Sequence, residues 1–353
     1  MTALPFPRKR TARTASELAE AGLIAPAGTA ALAAVAARYA IALPPALLDR
    51  IDPGNPADPI ARQLVPDASE LVDGADELQD PIGDHAHSPL RGIVHRYPDR
   101  VLLQPVATCA VYCRYCFRRE QVGPDSAPLR PGELDAALDY IRNDTGIWEV
   151  ILSGGDPLVL APGKLKRIID ALAAMDHVAV IRIHSRVPIA TPEHVTDALL
   201  ASLRSDKAVY LVLHVNHAQE LGPEQIAACR RLSDAGIPLL SQSVLLRGVN
   251  DDAATLETLF RTLLRNRIKP YYLHHPDRAR GTARFRLPLA EGQTLMKQLR
   301  GRLSGLAQPT YVLDIPGGYG KVPVGPDYLS ENDAGWSVED PAGVVHAYPE
   351  TPA

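Results

Sequence analysis

The chain has 353 residues, of which 46% are hydrophobic and 22% charged, and its formal net charge is -4 at neutral pH. This length can bury a large single α/β core, and the slight negative charge excludes an extended nucleic-acid-binding surface, although a local basic patch is compatible with it. No stretch of about 18 apolar residues lacks charge, so we expect no membrane span, and the basic N-terminus lacks the leucine-rich core of a signal peptide.

The first 90 residues are predicted to form an N-terminal extension of short helices and loops. Apolar spacing predicts helices near residues 16–24 and 29–40, and a third near 43–48, where prolines occupy a first turn. Residues 53–92 contain prolines and acidic side chains at a density typical of loops. We interpret this segment as a solvated connection.

From residue 101 onward the sequence alternates regularly between strands and helices. The strand-like runs are 101–106, 148–152, 178–183, 209–214, 238–244 and 269–273, and the helices begin near Pro131, Pro162, Pro192, Pro223, Asp252 and Ala290. Nearly continuous apolar strands of this kind predict an α/β fold, a partial or closed parallel (β/α) barrel of about six β/α units. We assign the barrel to residues 91–308 and expect a short C-terminal segment, 309–353, to pack on its mouth. In such barrels functional groups collect at the carboxyl ends of the strands.

Three of the four cysteines directly follow the first barrel strand. Cys109, Cys113 and Cys116 have the spacing C-x3-C-x2-C. Three thiolates on one short loop suit a [4Fe-4S] cluster better than structural zinc, which normally uses two separated ligand pairs. They would leave one iron open to a ligand that is not protein. The alternative is a zinc site completed by a histidine or Cys229. An oxygen-sensitive cluster predicts a reducing, cytoplasmic location.

Polar residues follow the later strands at the same edge. The second strand ends in Gly154, Gly155 and Asp156, where main chain without a Cβ can approach a ligand closely. The later strands end near six further polar side chains: His184, Ser185, Arg186, His214, Asn216 and Gln242. Each of these could bind a cofactor or be a satisfied polar group of the barrel rim.

A glycine-rich loop near the C-terminus ends in a single lysine. Residues 314–321 read Asp-Ile-Pro-Gly-Gly-Tyr-Gly-Lys, and the phosphate-binding pattern G-x4-G-K-[ST] fails because Val322 follows Lys321 and the first glycine is misplaced. A lysine that forms an imine with pyridoxal phosphate is a second interpretation. A solvent-exposed lysine in a turn is the third.

The order of these motifs resembles the lysine 2,3-aminomutases, a family of radical S-adenosylmethionine enzymes that includes the aminomutases supplying β-lysine for modification of elongation factor P. The segments that carry the resemblance are 95–100, the cysteine loop, 153–156, 242–251, 270–272 and 316–321. The resemblance implies an isomerase that moves the α-amino group of L-lysine to C3. It implies three cofactors: a [4Fe-4S] cluster on the three cysteines, S-adenosylmethionine and pyridoxal phosphate.

The resemblance also implies roles for individual residues. Lys321 would form the imine with pyridoxal phosphate, and Arg96 and Arg100 would bind its phosphate. The further candidates for cofactor binding are Gly154, Gly155, Asp156, Ser185 and Gln242. Arg118 would bind the substrate carboxylate.

Two acidic residues indicate the substrate. Asp277 and Asp314 match the acids that face the ε-ammonium of lysine, and two secluded carboxylates need a cationic partner. The glutamate-acting relatives have a lysine and an asparagine at these positions. The alternative is that Asp277 bonds to Arg278, Arg280 or Arg284.

Several features leave the resemblance incomplete. Tyr115 stands where the family often has histidine, and no cysteine follows Cys229, so we expect no zinc-binding C-terminal cluster of the clostridial type. The use of β-lysine, in elongation factor P or in metabolism, stays open. Expected partners are an electron donor such as flavodoxin or ferredoxin and a second copy in a homodimer, but no nucleic acid or membrane. The alternatives are a 2,3-aminomutase for another amino acid and a non-catalytic iron–sulfur or zinc protein.

Overall fold

The computed structural model describes residues 10–123, 126, 128–332 and 335–348. The helices are α1 (Ala15–Glu20), α2 (Thr29–Arg38), α3 (Pro45–Leu48), α4 (Pro59–Leu64), α5 (Pro131–Asn143), α6 (Pro162–Ala173), α7 (Val187–Ala190), α8 (Asp197–Ser202), α9 (Pro223–Asp234), α10 (Ala253–Arg265) and α11 (Leu289–Leu299). The strands are β1 (Ile93–Tyr97), β2 (Arg100–Val106), β3 (Glu149–Gly154), β4 (Val180–Ser185), β5 (Ala208–His214), β6 (Leu239–Val244), β7 (Ile268–His274), β8 (Thr310–Ile315), β9 (Gly320–Pro323), β10 (Leu329–Asn332), β11 (Gly335–Glu339) and β12 (Val345–Tyr348). Across these ranges, every helix is too short or too polar to span a lipid bilayer.

Nine strands form one sheet in sequence order, from β1 to β9. Strands β2 to β8 pair in parallel, and the two edge strands, β1 and β9, pair antiparallel to their neighbours. Helices cover the outer face of the sheet because consecutive parallel strands must be joined by crossover connections. These helices bury the apolar side chains of the strands. The predicted α/β class and parallel (β/α) order are confirmed.

The barrel is nearly closed, and side chains join its two edges. Strands β1 and β9 are the ends of the sheet among the described residues. The backbone amide of Lys321 in β9 donates a hydrogen bond of 2.7 Å to the hydroxyl of Tyr97 in β1. A second contact, of 3.0 Å, joins His87 Nε2 to the carbonyl oxygen of Gly318. The seam between β1 and β9 therefore depends on a few specific groups rather than on a strand ladder.

The third crossover differs from the prediction of a helix starting near Pro192. The chain forms α7, a short 3-10 turn at Pro192–His194, and then α8. Pro192 lacks an amide hydrogen and its ring disfavours helical geometry at Thr191, whose φ of -141° and ψ of 65° lie outside the helical region. The proline therefore ends one helix instead of opening a long one.

Several strands were not predicted from the sequence. β1 precedes the first predicted strand, β8 and β9 continue the same sheet beyond residue 308, and β10 to β12 form a separate antiparallel sheet. Strands β1, β8 and β9 therefore belong to the same sheet as the six predicted β/α units, whereas β10 to β12 do not.

The interpretation of residues 53–92 as a solvated connection is wrong. Four of its acidic side chains, Asp58, Glu70, Glu77 and Asp84, are buried. Glu70 is fully buried and accepts hydrogen bonds from Arg114 and Arg119 of the cysteine loop. Buried carboxylates need such partners, and arginines from distant parts of the chain supply them. The segment is a packed part of the fold.

Candidate active site

One cavity of about 690 Å³ occupies the inside of the barrel. It extends from the cysteine loop, after the carboxyl end of β2, to residues at the start of β2 and β3. The residues that the resemblance assigned to the cluster, the cofactors and the substrate all line this cavity: Arg96, Arg100, Cys109, Cys113, Cys116, Arg118, Gly154, Gly155, Asp156, Ser185, Gln242, Asp277, Asp314 and Lys321. The fold therefore brings together all of these side chains from separate strands and loops.

The three cysteines lie close to one another at one end of the cavity. Burial raises the pKa of the Cys109 thiol well above its ordinary value, and the neighbouring Asp156 and the other two cysteines raise it further. Burial likewise raises the pKa of Cys116 to about 11, with Cys113 adding to the effect. Thiols in these surroundings become thiolates only with a cationic partner such as bound metal. Cys229 lies apart from them, fully buried in the apolar core.

Gly154, the last residue of β3, and Gly155 directly after it lie against the start of the cysteine loop. Gly155 donates its amide to the carbonyl oxygen of Val106 at 2.8 Å, and the amide of Asp156 donates to Thr108 at 2.9 Å. A Cβ on Gly155 would come within 2.2 Å of the Thr108 carbonyl oxygen. Both amides already have protein partners, so the glycine pair permits close packing of two backbone segments rather than leaving these amides free for a ligand.

Asp156 organises the turn after β4. Its buried carboxylate accepts hydrogen bonds from Ser185 Oγ at 2.7 Å and from the amides of Arg186 and Val187 at 2.7 and 3.1 Å. Burial raises its pKa, and these hydrogen bonds oppose the rise. Two predicted cofactor-binding residues, Asp156 and Ser185, therefore bond directly to each other.

The side chain of Lys321 contacts an acidic residue and a histidine. Asp314 and Lys321 are directly opposed in the β8–β9 hairpin, and the Lys321 ammonium forms an ion pair with the Asp314 carboxylate. Lys321 Nζ also lies 3.1 Å from His274 Nδ1. His274 Nε2 is buried and has no hydrogen-bond partner within the described ranges.

The pKa values of the two acids in this part of the cavity shift in opposite directions. Burial raises the pKa of Asp277 to about 7, and the negative charge of Asp314 adds to the rise. Burial would also raise the pKa of Asp314, but hydrogen bonding and positive charge from His274 and Lys321 outweigh it and lower that pKa well below its ordinary value. At neutral pH Asp314 is therefore ion-paired and ionised, whereas Asp277 is close to its own pKa of about 7.

The sequence alternative for Asp277, an ion pair with a nearby arginine, does not occur in the described part of the chain. Arg278 pairs with Asp76, and Arg284 pairs with Asp67 and Glu70. Asp277 lines the cavity instead. Its carboxylate is therefore available to a ligand cation.

Arg96 and Arg118 share a buried carboxylate that the sequence did not single out. Asp84 accepts from Arg118 Nε at 2.8 Å and from Arg96 Nη2 at 3.2 Å. Arg118 Nη1 also donates to Ser153 Oγ at 3.3 Å. Asp84 lies in the acidic segment 53–92, whose composition is typical of a loop, so no sequence signal marks it. His274, by contrast, ends β7 as His214 ends β5, and the same strand-end rule could have found it.

Comparison with known proteins agrees with the motifs and the geometry. The Radical SAM superfamily matches residues 103–259, and the family described as Lysine-2,3-aminomutase matches residues 296–353. L-lysine 2,3-aminomutase of Clostridium subterminale is 41% identical over 311 residues, which are 88% of this chain and 75% of that protein.

The chain belongs to the lysine 2,3-aminomutase family of radical S-adenosylmethionine enzymes. Glutamate 2,3-aminomutase of Clostridioides difficile is also similar, with 36% identity over 84% of this chain and 70% of that protein. Among solved structures, a radical SAM methyltransferase from Sphaerobacter thermophilus has a TM-score of 0.44 and 21% identity, and the match covers 63% of this chain and 68% of that chain. The L-lysine 2,3-aminomutase relatives show that this aminomutase is an isomerase, as the resemblance implied.

Membership of the lysine 2,3-aminomutase family implies a [4Fe-4S] cluster, S-adenosylmethionine and pyridoxal phosphate, and the donor groups in the cavity fit them. Three thiols on one loop suit an iron–sulfur cluster. Lys321 offers an amine inside the same cavity, as pyridoxal phosphate requires.

Proposed function

We propose that this aminomutase converts L-lysine to β-lysine, with Lys321 holding pyridoxal phosphate and with Arg118, Asp277 and Asp314 binding the substrate. The observation that carries the proposal is the presence of two carboxylates, Asp277 and Asp314, in the cavity that also contains Lys321 and the three cysteines. A cavity with this combination suits an amino acid that has a cationic side chain.

When bound, the cluster with S-adenosylmethionine supplies a carbon-centred radical, and pyridoxal phosphate supplies the carbonyl group that carries the migrating amine. The contribution of the protein is to hold the substrate between fixed charges and to exclude water. The longest hydrogen bond of the Arg118 guanidinium runs from Nη1 to Ser153 Oγ, at 3.3 Å. A substrate carboxylate can therefore compete with Ser153 for this nitrogen. The Asp277 and Asp314 carboxylates attract the ammonium group at the other end of the lysine side chain.

The same charges favour lysine over glutamate. A glutamate side chain would bring a third carboxylate beside Asp277 and Asp314, and like charges at such distances repel. The pKa of Asp277, about 7, would rise further next to another anion and fall next to an ammonium group. Lysine binding should therefore release a proton from the protein near neutral pH.

The proposal is tested by anaerobic incubation of the reconstituted protein with S-adenosylmethionine, pyridoxal phosphate, a reductant and either L-lysine or L-glutamate, followed by chiral analysis of the products. We expect β-lysine from lysine and no product from glutamate. Asp277→Asn should abolish most of the lysine turnover, whereas Asp234→Asn, an exposed partner of Arg267, should leave it unchanged. Turnover of another amino acid without any β-lysine would overturn the substrate assignment.

The role proposed for Lys321 has a spectroscopic test. Pyridoxal phosphate bound through this amine should give an absorbance band that Lys321→Ala abolishes. Lys166→Ala replaces an exposed lysine on α6 and should retain the band. A band that survives Lys321→Ala would assign the cofactor to another amine.

The remaining assignments are part of the same proposal. Arg96 and Arg100 bind the phosphate of pyridoxal phosphate, and Gly154, Gly155, Asp156, Ser185 and Gln242 surround S-adenosylmethionine. A flavodoxin or ferredoxin donates the electron in the cytoplasm, and the chain works as a homodimer. The β-lysine serves either modification of elongation factor P or metabolism, and mass spectrometry of that factor from cells lacking this protein would distinguish the two uses.

A further inference from the structure

A buried arginine contacts one of the cluster cysteines. Arg186, the first residue after β4, is 5% exposed, and its Nη1 donates to Cys113 Sγ at 2.7 Å. The same nitrogen lies 2.7 Å from the hydroxyl of Tyr115, which itself lies 2.7 Å from His214 Nε2. Arg186 therefore presents a fixed positive charge to the sulfur from inside the protein.

The other side of the guanidinium is held by an acid. Arg186 Nη2 donates to Glu220 Oε2 at 2.6 Å and to Gln63 Oε1 at 3.0 Å. Glu220 is fully buried, and its Oε1 accepts from the amides of Asn216 and His217, each at 2.9 Å. The ion pair thus has a set orientation, with its positive end at Cys113 and its negative end farther away. The backbone amide of Arg186 is fixed as well, because it donates to Asp156.

A hydrogen-bond donor in this position affects the reduction potential of a bound cluster. Reduction adds one negative charge to an iron–sulfur cluster, and part of that charge resides on the cysteine sulfurs. Hydrogen bonds to those sulfurs and nearby charges are among the factors that set the reduction potential. The effect is larger for a buried donor, because the low local dielectric screens it poorly.

We propose that Arg186 raises the reduction potential of the cluster through its hydrogen bond to Cys113, and that Glu220 moderates this effect by neutralising part of the arginine charge. Arg186 is a positioning and tuning residue in this proposal, not a ligand of the metal. The proposal depends on the cluster and is independent of the substrate and of pyridoxal phosphate.

The test is a redox titration of the reconstituted cluster, monitored by electron paramagnetic resonance without S-adenosylmethionine. Arg186→Gln should make the midpoint potential more negative, with at least a tenfold lower ratio of reduced to oxidised cluster at a given potential, equal to about 59 mV for one electron. Glu220→Gln should shift it in the opposite direction. Arg231→Gln, which makes the same change at an exposed arginine paired with Asp197, should leave the potential unchanged.

Opposite signs for the two buried variants distinguish electrostatic tuning from damage to the loop. Shifts of the same sign, or no shift for Arg186→Gln, would overturn the proposal. A measurement on the unmutated chain covers the case in which a variant fails to take up iron. Protein grown with guanidino-15N-arginine should show hyperfine coupling between the reduced cluster and a labelled nitrogen, and its absence would contradict the hydrogen bond to Cys113.

Discussion

Asp277 and Asp314 have the same functional group and line the same cavity, yet their surroundings make them different acids. Asp314 is ion-paired with Lys321 and lies 3.5 Å from His274 Nδ1. Asp277 has no arginine or lysine partner within the described ranges, and burial raises its pKa to about 7. The difference arises from which neighbours each side chain has, not from depth of burial alone.

This difference predicts opposite pH effects on stability in the ligand-free protein. The pKa of Asp277 is higher in the folded state than its unfolded value of about 3.9, so its contribution to stability is complete below that value and is lost as the pH rises toward 7. The asparagine in Asp277→Asn cannot ionise, so this variant does not lose stability in this way as the pH rises. Between about pH 5 and about pH 8 the variant should gain roughly 1–2 kcal/mol in unfolding free energy relative to the natural chain.

Asp314→Asn is the matched comparison. In the natural chain the pKa of Asp314 is lower in the folded state than in the unfolded state. Its carboxylate therefore stabilises the fold above the unfolded-state pKa, and this contribution is lost as the pH falls. The variant should be less stable than the natural chain near pH 8, and the gap should narrow in acid. Urea unfolding at a series of pH values measures both variants, and parallel curves for the two would contradict the assigned pKa shifts.

A second prediction at the residue scale concerns Gly155. A Cβ there would meet the Thr108 carbonyl oxygen at 2.2 Å, and backbone cannot move aside as a flexible side chain can. Gly155→Ala should cost about 1–3 kcal/mol in unfolding free energy and reduce the iron content after reconstitution. Gly163→Ala, on α6, has open space around the added Cβ and should be neutral or slightly stabilising. Equal effects of the two substitutions would show that the contact is easily relieved.

At the scale of elements, Glu70 connects the N-terminal segment to the cysteine loop. Its carboxylate accepts hydrogen bonds from Arg114 and Arg119, which lie on either side of Cys116 in the sequence, and from Arg284 after β7. The carboxylate lowers the cost of burying Arg114 and Arg119 near each other, whereas Arg284 is only partly buried and also pairs with Asp67. The position of the cysteine loop therefore depends on a segment that contributes no strand to the barrel.

Glu70→Gln should destabilise the protein by about 3–5 kcal/mol, because the buried guanidinium groups of Arg114 and Arg119 lose their counter-charge. Glu291→Gln is the control, since Glu291 forms an exposed ion pair with Arg247 and such pairs contribute at most about 1 kcal/mol. Chemical denaturation followed by circular dichroism measures both. A loss for Glu70→Gln no greater than for Glu291→Gln would mean that water replaces the missing charge.

At the scale of the whole molecule, the barrel is completed by contacts between β1 and β9 rather than by strand pairing. Tyr97→Phe removes the hydroxyl that accepts the Lys321 amide at 2.7 Å. We expect a loss of about 1 kcal/mol and faster hydrogen exchange at the amide of Lys321, because the seam opens more often. Tyr348→Phe, at an exposed tyrosine of β12, should change neither quantity. Unaltered exchange at Lys321 in Tyr97→Phe would indicate that other contacts hold the seam.

The parts of the fold that the sequence predicted are those with a strong local signal. Strands β2 to β7 have nearly continuous apolar runs, and Pro131, Pro162 and Pro223 mark helix starts, so their positions were predicted to within one or two residues. The candidate site followed from strand ends and from family motifs. The division of the chain at residues 90 and 308 stays a prediction.

What the sequence did not reveal depends on distant partners. Glu70 and Asp84 look like loop acids until Arg114, Arg96 and Arg118 are brought to them from other segments. The seam between β1 and β9 likewise involves residues more than two hundred positions apart, Tyr97 and Lys321. Local patterns cannot show which of many acids and tyrosines meet such partners.

The backbone contact between Gly155 and the cysteine loop has a consequence for engineering. The loop and the turn after β3 interlock through main-chain atoms, with hydrogen bonds from Gly155 to Val106 and from Asp156 to Thr108. Transferring the cysteine segment alone into another barrel would leave out the glycine-containing segment with which its backbone packs. A recipient scaffold would need the glycine pair on its neighbouring strand before the three sulfurs could adopt the same arrangement.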